Sequence, residues 1–139
     1  MVIGSHGEAM LPLARFSKIK GVALDEFLDD KKMELLASKT IGRGAEIVGL
    51  LGIGSAYFAP SAAIAEIVKV IIKDEKRVIG VCAYLNGEYG IKDICIGVPC
   101  RLGKNGIENI IELDLNKKEL GLLKDSALAI RKFSKQLPV

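Results

Sequence analysis

The spacing of apolar residues changes several times along the chain. Val2 and Ile3 read as the end of a strand, followed at once by the tight loop Gly4-Ser5-His6-Gly7. Leu11, Leu13 and Phe16 alternate loosely, so 11–19 reads as strand or extended chain. Asp25 to Leu28 predicts one short helical turn. Asp29 or Asp30 then caps a helix starting near Lys31, in which Met33, Leu36 and Ala37 share a face. Gly42 and Gly44 each cost about 1 kcal/mol against Ala inside a helix, which predicts a kink or a split there. Helix resumes over 45–51, Gly52 to Ser55 turns, and a second helix follows from about Tyr57 to Lys73. Pro60 is tolerable only in the first turn of that helix. Ala63, Ile64, Ile67, Val68, Ile71 and Ile72 cover a wide arc, and Glu66, Lys69 and Lys73 a narrow one, so it is expected to be largely buried.

Beyond Lys73 the period shortens. Arg77 to Leu85 is a continuous β-prone run that predicts a strand covered on both faces. A turn at 86–90 leads to a second strand over 94–102. Gly103-Lys104-Asn105-Gly106 is a hairpin turn in which Asn-Gly supplies positive φ, and a third strand runs over 107–113. Asn116 caps a last helix whose Leu120, Leu123, Ala127, Ile130, Phe133 and Leu137 advance in steps of three and four. Strand, helices, antiparallel meander and helix, in that order, define an α+β class and one domain over 1–139.

Composition narrows the function classes. Half of the 139 residues are hydrophobic, and 20 basic against 17 acidic residues leave a net charge of +3, too evenly spread for a nucleic-acid-binding stripe. Three cysteines are too few, and odd in number, for a disulfide-built fold. The uncharged stretch 47–65 approaches membrane-spanning length, but Gly52-Ile53-Gly54-Ser55 would break it, so it reads as two buried helix ends joined by a turn. The N-terminus lacks a basic n-region and an apolar h-region. A cytoplasmic, reduced protein without membrane or nucleic-acid partners is the expectation.

Few residues offer chemistry. His6 is the only histidine, and glycines around it permit a sharp backbone that presents one imidazole at the end of a strand, where it could exchange a proton near neutral pH. On spacing alone the signal is weak, and a surface or capping histidine is the better explanation. Cys82 reads as buried in a strand. Cys95 and Cys100, five apart, point to opposite faces of another, so core thiols are expected and no metal site. Gly52-Ile53-Gly54 has Tyr57 where a dinucleotide fingerprint needs a third Gly or Ala, and it follows a helix rather than a strand. Gly103-Lys104-Asn105-Gly106 lacks the Lys-Ser/Thr of a phosphate loop. Asp29-Asp30 and Asp74-Glu75 fit caps and solvated helix ends. Arg43, between two glycines, and Arg77 and Arg101, flanking strands, read as surface residues. A strand end and catalytic-looking loop this near residue 1 also predict an excised domain.

Three stretches together are more specific. Gly-Ser-His-Gly-Glu-Ala-Met-Leu-Pro-Leu at 4–13 resembles the catalytic histidine loop of the lactate/malate dehydrogenase family. The run 44–63, with Gly-Ile-Gly-Ser-Ala-Tyr-Phe-Ala-Pro, resembles the substrate-side helix pair of that family. Residues 84–90, Gly97-Val98-Pro99, Leu102-Gly103 and Asn105-Gly106 are similar to its closing meander. The resemblance covers essentially the whole chain and implies the family's C-terminal α+β domain, with the NAD-binding domain absent. It is nearer to the lactate-dehydrogenase-like malate dehydrogenases, because Ala56 stands where lactate dehydrogenases commonly carry threonine. Glu8 replaces the family's usual aspartate.

What the resemblance implies is an NAD-dependent oxidoreductase interconverting (S)-malate and oxaloacetate, a tricarboxylic acid cycle reaction. His6 would be its general acid and base, and Ala56 and Ser55 would shape the substrate wall. NAD would be bound mainly by the missing domain, so no cofactor-binding residue is assigned here. The aspartate that orients the histidine and the arginines that bind a 2-hydroxy or 2-oxo acid would also lie upstream, which predicts an inactive isolated chain. The alternatives are the same domain of an L-lactate dehydrogenase, or an inactive oligomerisation module. A homo-oligomer, dimer or tetramer, is expected through the helices at 31–51 and 57–73.

Overall fold

The computed structural model describes residues 1–136, so Leu137 of the predicted apolar stripe lies outside the described residues. Strand β1 (Val2–Gly4) runs antiparallel to β2 (Met10–Pro12), with Ile3 opposite Leu11. The single extended run expected over 11–19 is broken. A 3-10 turn, Ala14–Phe16, follows β2, and a small ribbon of β3 (Lys18–Ile19) and β4 (Val22–Ala23) comes next. Lys20 and Gly21 close that ribbon at φ of 50° and 87°, a left-handed pair that a loosely alternating pattern does not announce. The short helical turn expected next is a 3-10 turn, Leu24–Glu26.

Helix α1 (Asp30–Leu51) begins at Asp29, whose carboxylate accepts the Lys32 N–H at 2.9 Å. It runs through Gly42 and Gly44 as one helix, without the expected kink or split. Both glycines have open space where a Cβ would stand, and neither takes a positive φ. Their propensity cost is absorbed by a ladder of 22 residues. Met33, Ala37, Thr40, Ile41 and Ile47 form its half-buried inner face, whereas Leu36, expected to join Met33 and Ala37, is exposed.

Gly52, at φ 74°, ends α1 by donating to the Val48 carbonyl. Helix α2 (Phe58–Ile72) then carries Pro60 in its first turn, as expected. Its predicted burial is overturned. Only Val70 is buried, while Phe58, Ile64 and Ile72 are 80%, 63% and 77% exposed. The helix ends around the 52–57 turn are not buried either, since Leu50 and Ile53 stand in solvent. A wide apolar arc shows that a helix has something to cover, but the covering surface need not come from the same chain. Among the described residues no helix is long and apolar enough to cross a membrane.

The meander forms as predicted: β5 (Arg77–Asn86), β6 (Lys92–Gly103) and β7 (Gly106–Ile110), the last ending three residues earlier than expected. Gly106 takes φ 90° at the hairpin. β5 pairs with β6 along its whole length. The other edge of β6 is shared, with β1 meeting it at Gly4–Gly97 and β7 at Cys100–Ile110 through Gly103–Gly106. The expectation that β5 is covered on both faces fails. Ala83 and Leu85 point into the core, whereas Val78, Cys82 and Tyr84 face outward and are exposed. Cys82 is therefore not a core thiol. Cys95 and Cys100 do lie on opposite faces, one exposed and one buried.

Helix α3 (Lys117–Ser134) starts at Asn116 with a reciprocal capping box, Asn116 accepting from the Glu119 N–H while Glu119 accepts from the Asn116 N–H. Its Leu123 and Ala127 enter a core shared with Ile3, Val70, Leu85, Ile96 and Val98. Leu120 and Ile130 flank that core, but Phe133 is 69% exposed. The architecture is the α+β class read from the sequence.

Candidate active site

The loop that carries His6 spans residues 5–9 and closes the β1–β2 hairpin. Gly4 and Gly7 take φ of 89° and 98°, conformations closed to most L side chains, and these turn the backbone sharply on both sides of the histidine. Met10 N–H donates to the Gly7 carbonyl at 3.1 Å, closing the turn locally. The Ser5 N–H donates to Oγ of Ser126 on α3 at 2.7 Å, a contact across 121 residues of sequence. His6 itself is exposed.

His6 lines a cavity of about 900 Å³. One wall is the His6 loop with Glu8 and Met10, another is the outward face of the sheet at Cys82, Cys95 and Gly97, and the third is the last turns of α3 at Ile130 and Phe133. The setting is largely apolar, and no Lys or Arg lines it. Partial desolvation on the cavity wall pushes the exposed Cys82 thiol up, and the neighbouring Cys95 adds to this. His6 presents the one imidazole on this wall. Among the described residues no three His, Cys, Asp or Glu side chains converge on a metal position.

The other predicted site residues lie elsewhere. Ser55 is exposed and Ala56 half-buried on the α1–α2 connection, and neither lines the cavity. The rings of Tyr57 and Phe58 meet there with centres 4.7 Å apart, tilted by 45°. Arg43 pairs with Glu46 on the surface of α1 at 2.8 Å. Arg77, read as a surface residue, is half-buried instead and bonds Glu66 and Glu75. Arg101 is exposed. Asp74 accepts the Lys104 N–H at 2.8 Å and so secures the β6–β7 turn to the end of α2.

Three contributors escaped sequence reasoning. Ser126 sits within the apolar stripe of α3, between Leu123 and Ala127, where a lone serine is the one polar interruption. Gly4 and Gly97 meet where β1 joins β6: a Cβ on Gly97 would stand 2.7 Å from the Gly4 carbonyl oxygen. A glycine inside a strand is the available signal for such a close backbone approach.

Comparison with known proteins places this arrangement. A family model described as "lactate/malate dehydrogenase, alpha/beta C-terminal domain" matches residues 1–137. The malate dehydrogenase of Methanosarcina mazei is 47% identical over 139 residues, all of this chain and 45% of that protein. That of Roseiflexus sp. (strain RS-1) is 47% identical over 130 residues, 94% of this chain and 42% of that protein. Among solved structures, malate dehydrogenase from Salinibacter ruber superposes with a TM-score of 0.93 at 41% identity, over 97% of this chain and 44% of its own. Lactate dehydrogenase from Eimeria maxima with NADH and oxamate gives 0.92 at 41% identity, over 97% of this chain and 44% of its own. The chain thus spans less than half the length of the relatives it matches. With its sheet, its three helices and its histidine hairpin, the chain belongs to the lactate/malate dehydrogenase family, as that family's C-terminal domain.

Proposed function

We propose that this chain is the substrate-side domain of an NAD-dependent malate dehydrogenase, with His6 as the group that moves the proton. In reduction the imidazolium of His6 donates to the oxygen of the 2-oxo group of oxaloacetate. In oxidation the neutral imidazole takes the hydroxyl proton of (S)-malate. The observation that carries the reading is the position of His6, exposed on a cavity wall, on a hairpin whose backbone is held from α3, in a chain of this family. Gly52-Ile53-Gly54 joins two helices rather than a strand to a helix, so this glycine run does not make a dinucleotide cradle. In this reading NAD belongs mainly to residues outside the chain.

The same holds for the substrate carboxylates. An apolar cavity with no lining Lys or Arg leaves an anion without a partner, so the clamping cations come from beyond this chain. Ala56 and Ser55 lie away from the His6 cavity in this chain, so their proposed part in favouring malate over lactate rests on the resemblance around 44–63 alone. The protein works in the cytoplasm as a homo-oligomer, dimer or tetramer, that covers the apolar faces of α1 and α2.

The test uses a full-length enzyme, made by joining this chain to the remaining part of the Methanosarcina mazei malate dehydrogenase. NADH oxidation should proceed faster with oxaloacetate than with pyruvate, whereas the 139-residue chain alone should turn over neither. His6→Asn should lower turnover by roughly 10²–10⁴-fold with the fold retained. Near-normal rates in that variant would remove His6 from the chemistry, and no turnover in the joined enzyme would overturn the dehydrogenase reading.

A further inference from the structure

We propose that Ser126 is a positioning residue for His6, acting through the backbone of the histidine loop rather than on substrate. Ser126 is 2% exposed and is the only buried polar residue among those described. A hydroxyl in an apolar helix stripe is unfavourable unless it is paired. Its bonded partner is the Ser5 N–H at 2.7 Å, in the Gly4–Ser5 peptide, one peptide before the bond that joins Ser5 to His6. Packing alone asks for no hydroxyl there, since Ala127 fills the next position with a methyl group.

The surroundings are shaped for that bond. Gly4 has no Cβ, and a Cβ placed there would stand 3.0 Å from Ser126 Oγ and 3.2 Å from the Ala9 carbonyl oxygen. Gly97 closes on β1 from the sheet side. The strand that launches the loop is therefore held between β6 and α3, and among the described residues the Ser126 bond is the one side-chain hydrogen bond that ties residues 5–9 to another element. An acid and base must come within about 2.6–3.2 Å of the proton it moves. Without the bond the hairpin can rock about β1 and carry the imidazole out of that range. A misplacement near 1 Å costs on the order of a hundredfold in rate.

This inference rests on the dehydrogenase reading of His6, and the test separates the two. In the full-length enzyme described above, Ser126→Ala is compared with Ser126→Thr, which keeps the oxygen, and with His6→Asn. The expected result for Ser126→Ala is a kcat lowered by about ten- to a hundredfold, with KM for oxaloacetate near the parent value. Ser126→Ala also leaves the Ser5 N–H unpaired, so its thermal midpoint should fall, and Ser126→Thr should recover both the midpoint and most of the rate. If Ser126→Ala does not fold, Ser126→Cys carries the same comparison, because it keeps the side-chain shape, slightly enlarged, with a much weaker acceptor. A kcat within about twofold of the parent, a loss confined to KM, or equal losses in the Ala and Thr variants would overturn the positioning role while leaving His6 in place. Full activity in His6→Asn would overturn both readings.

Discussion

At Gly97 two backbones meet with no room for a side chain. The Gly4 carbonyl lies where a Cβ would project, and because that atom is backbone it cannot swing away. Gly97→Ala must therefore push β1 off β6 and shift the His6 hairpin with it, although residue 97 is far from residue 6 in sequence. The expected outcome is a loss of turnover in the full-length enzyme larger than the loss of stability, read by comparing kcat with the urea midpoint. Unchanged kcat would show that β1 and the loop move independently. His6 was legible as the one histidine between glycines, but its neighbours were not. Cys82 was read as buried because β5 is apolar on both faces in sequence, and only the position of the sheet shows which face is covered. Ser126 was passed over because helical spacing makes a serine in an apolar stripe look incidental.

The helices show which local rules hold. Asn116, Glu119 and Arg15 form one joint: Glu119 Oε2 accepts the Asn116 N–H at 2.9 Å and an Arg15 N–H at 2.7 Å. The cap is local and was read from sequence, whereas the Arg15 bond comes from the 3-10 turn after β2, 104 residues away. Asn116→Ala should cost about 1 kcal/mol, measured by urea unfolding. Hydrogen bonding from Arg15 holds the Glu119 carboxyl below its usual range despite opposing desolvation. A depressed folded-state pKa means the unfolded chain binds more protons in acid, so this stabilisation is complete above the ordinary carboxylate range and is lost as pH falls through the folded value. Glu119→Gln should flatten that acid decline, and an unchanged slope would mean the bond does not persist in solution. The β5–β6 turn is fixed by another contact unseen in sequence. The Tyr89 hydroxyl donates to the Ile111 carbonyl and accepts the Leu113 N–H, and burial pushes its pKa up. Tyr89→Phe leaves both backbone groups unpaired at a cost of about 1–3 kcal/mol, checked by thermal unfolding.

Across the molecule, a large apolar area remains uncovered. Ile64, Val68 and Ile72 make a stripe at intervals of four along α2, all exposed, and Leu50, Leu51 and Ile53 continue the apolar surface at the α1–α2 connection. Surfaces of this extent mark contacts in soluble proteins. Sedimentation of the chain should show self-association, and Ile64→Glu combined with Ile72→Glu should shift it to monomer. A parent chain that sediments as a clean monomer would remove α1 and α2 as the oligomer contact.

From the turn at Leu24 onward, element type and order were readable along the chain because they rest on short-range physics: helical and strand periods, an Asn-Gly hairpin, and caps at Asp29 and Asn116. The single histidine on its glycine hairpin was readable for the same reason. The joining of β1 to β6 through two glycines, the open outer face of β5, the exposure of α2 and the hold of Ser126 on the loop were not. Each depends on which distant surface arrives opposite a residue, and an apolar or hydroxyl side chain carries the same local signal whether that surface is core, solvent or another chain.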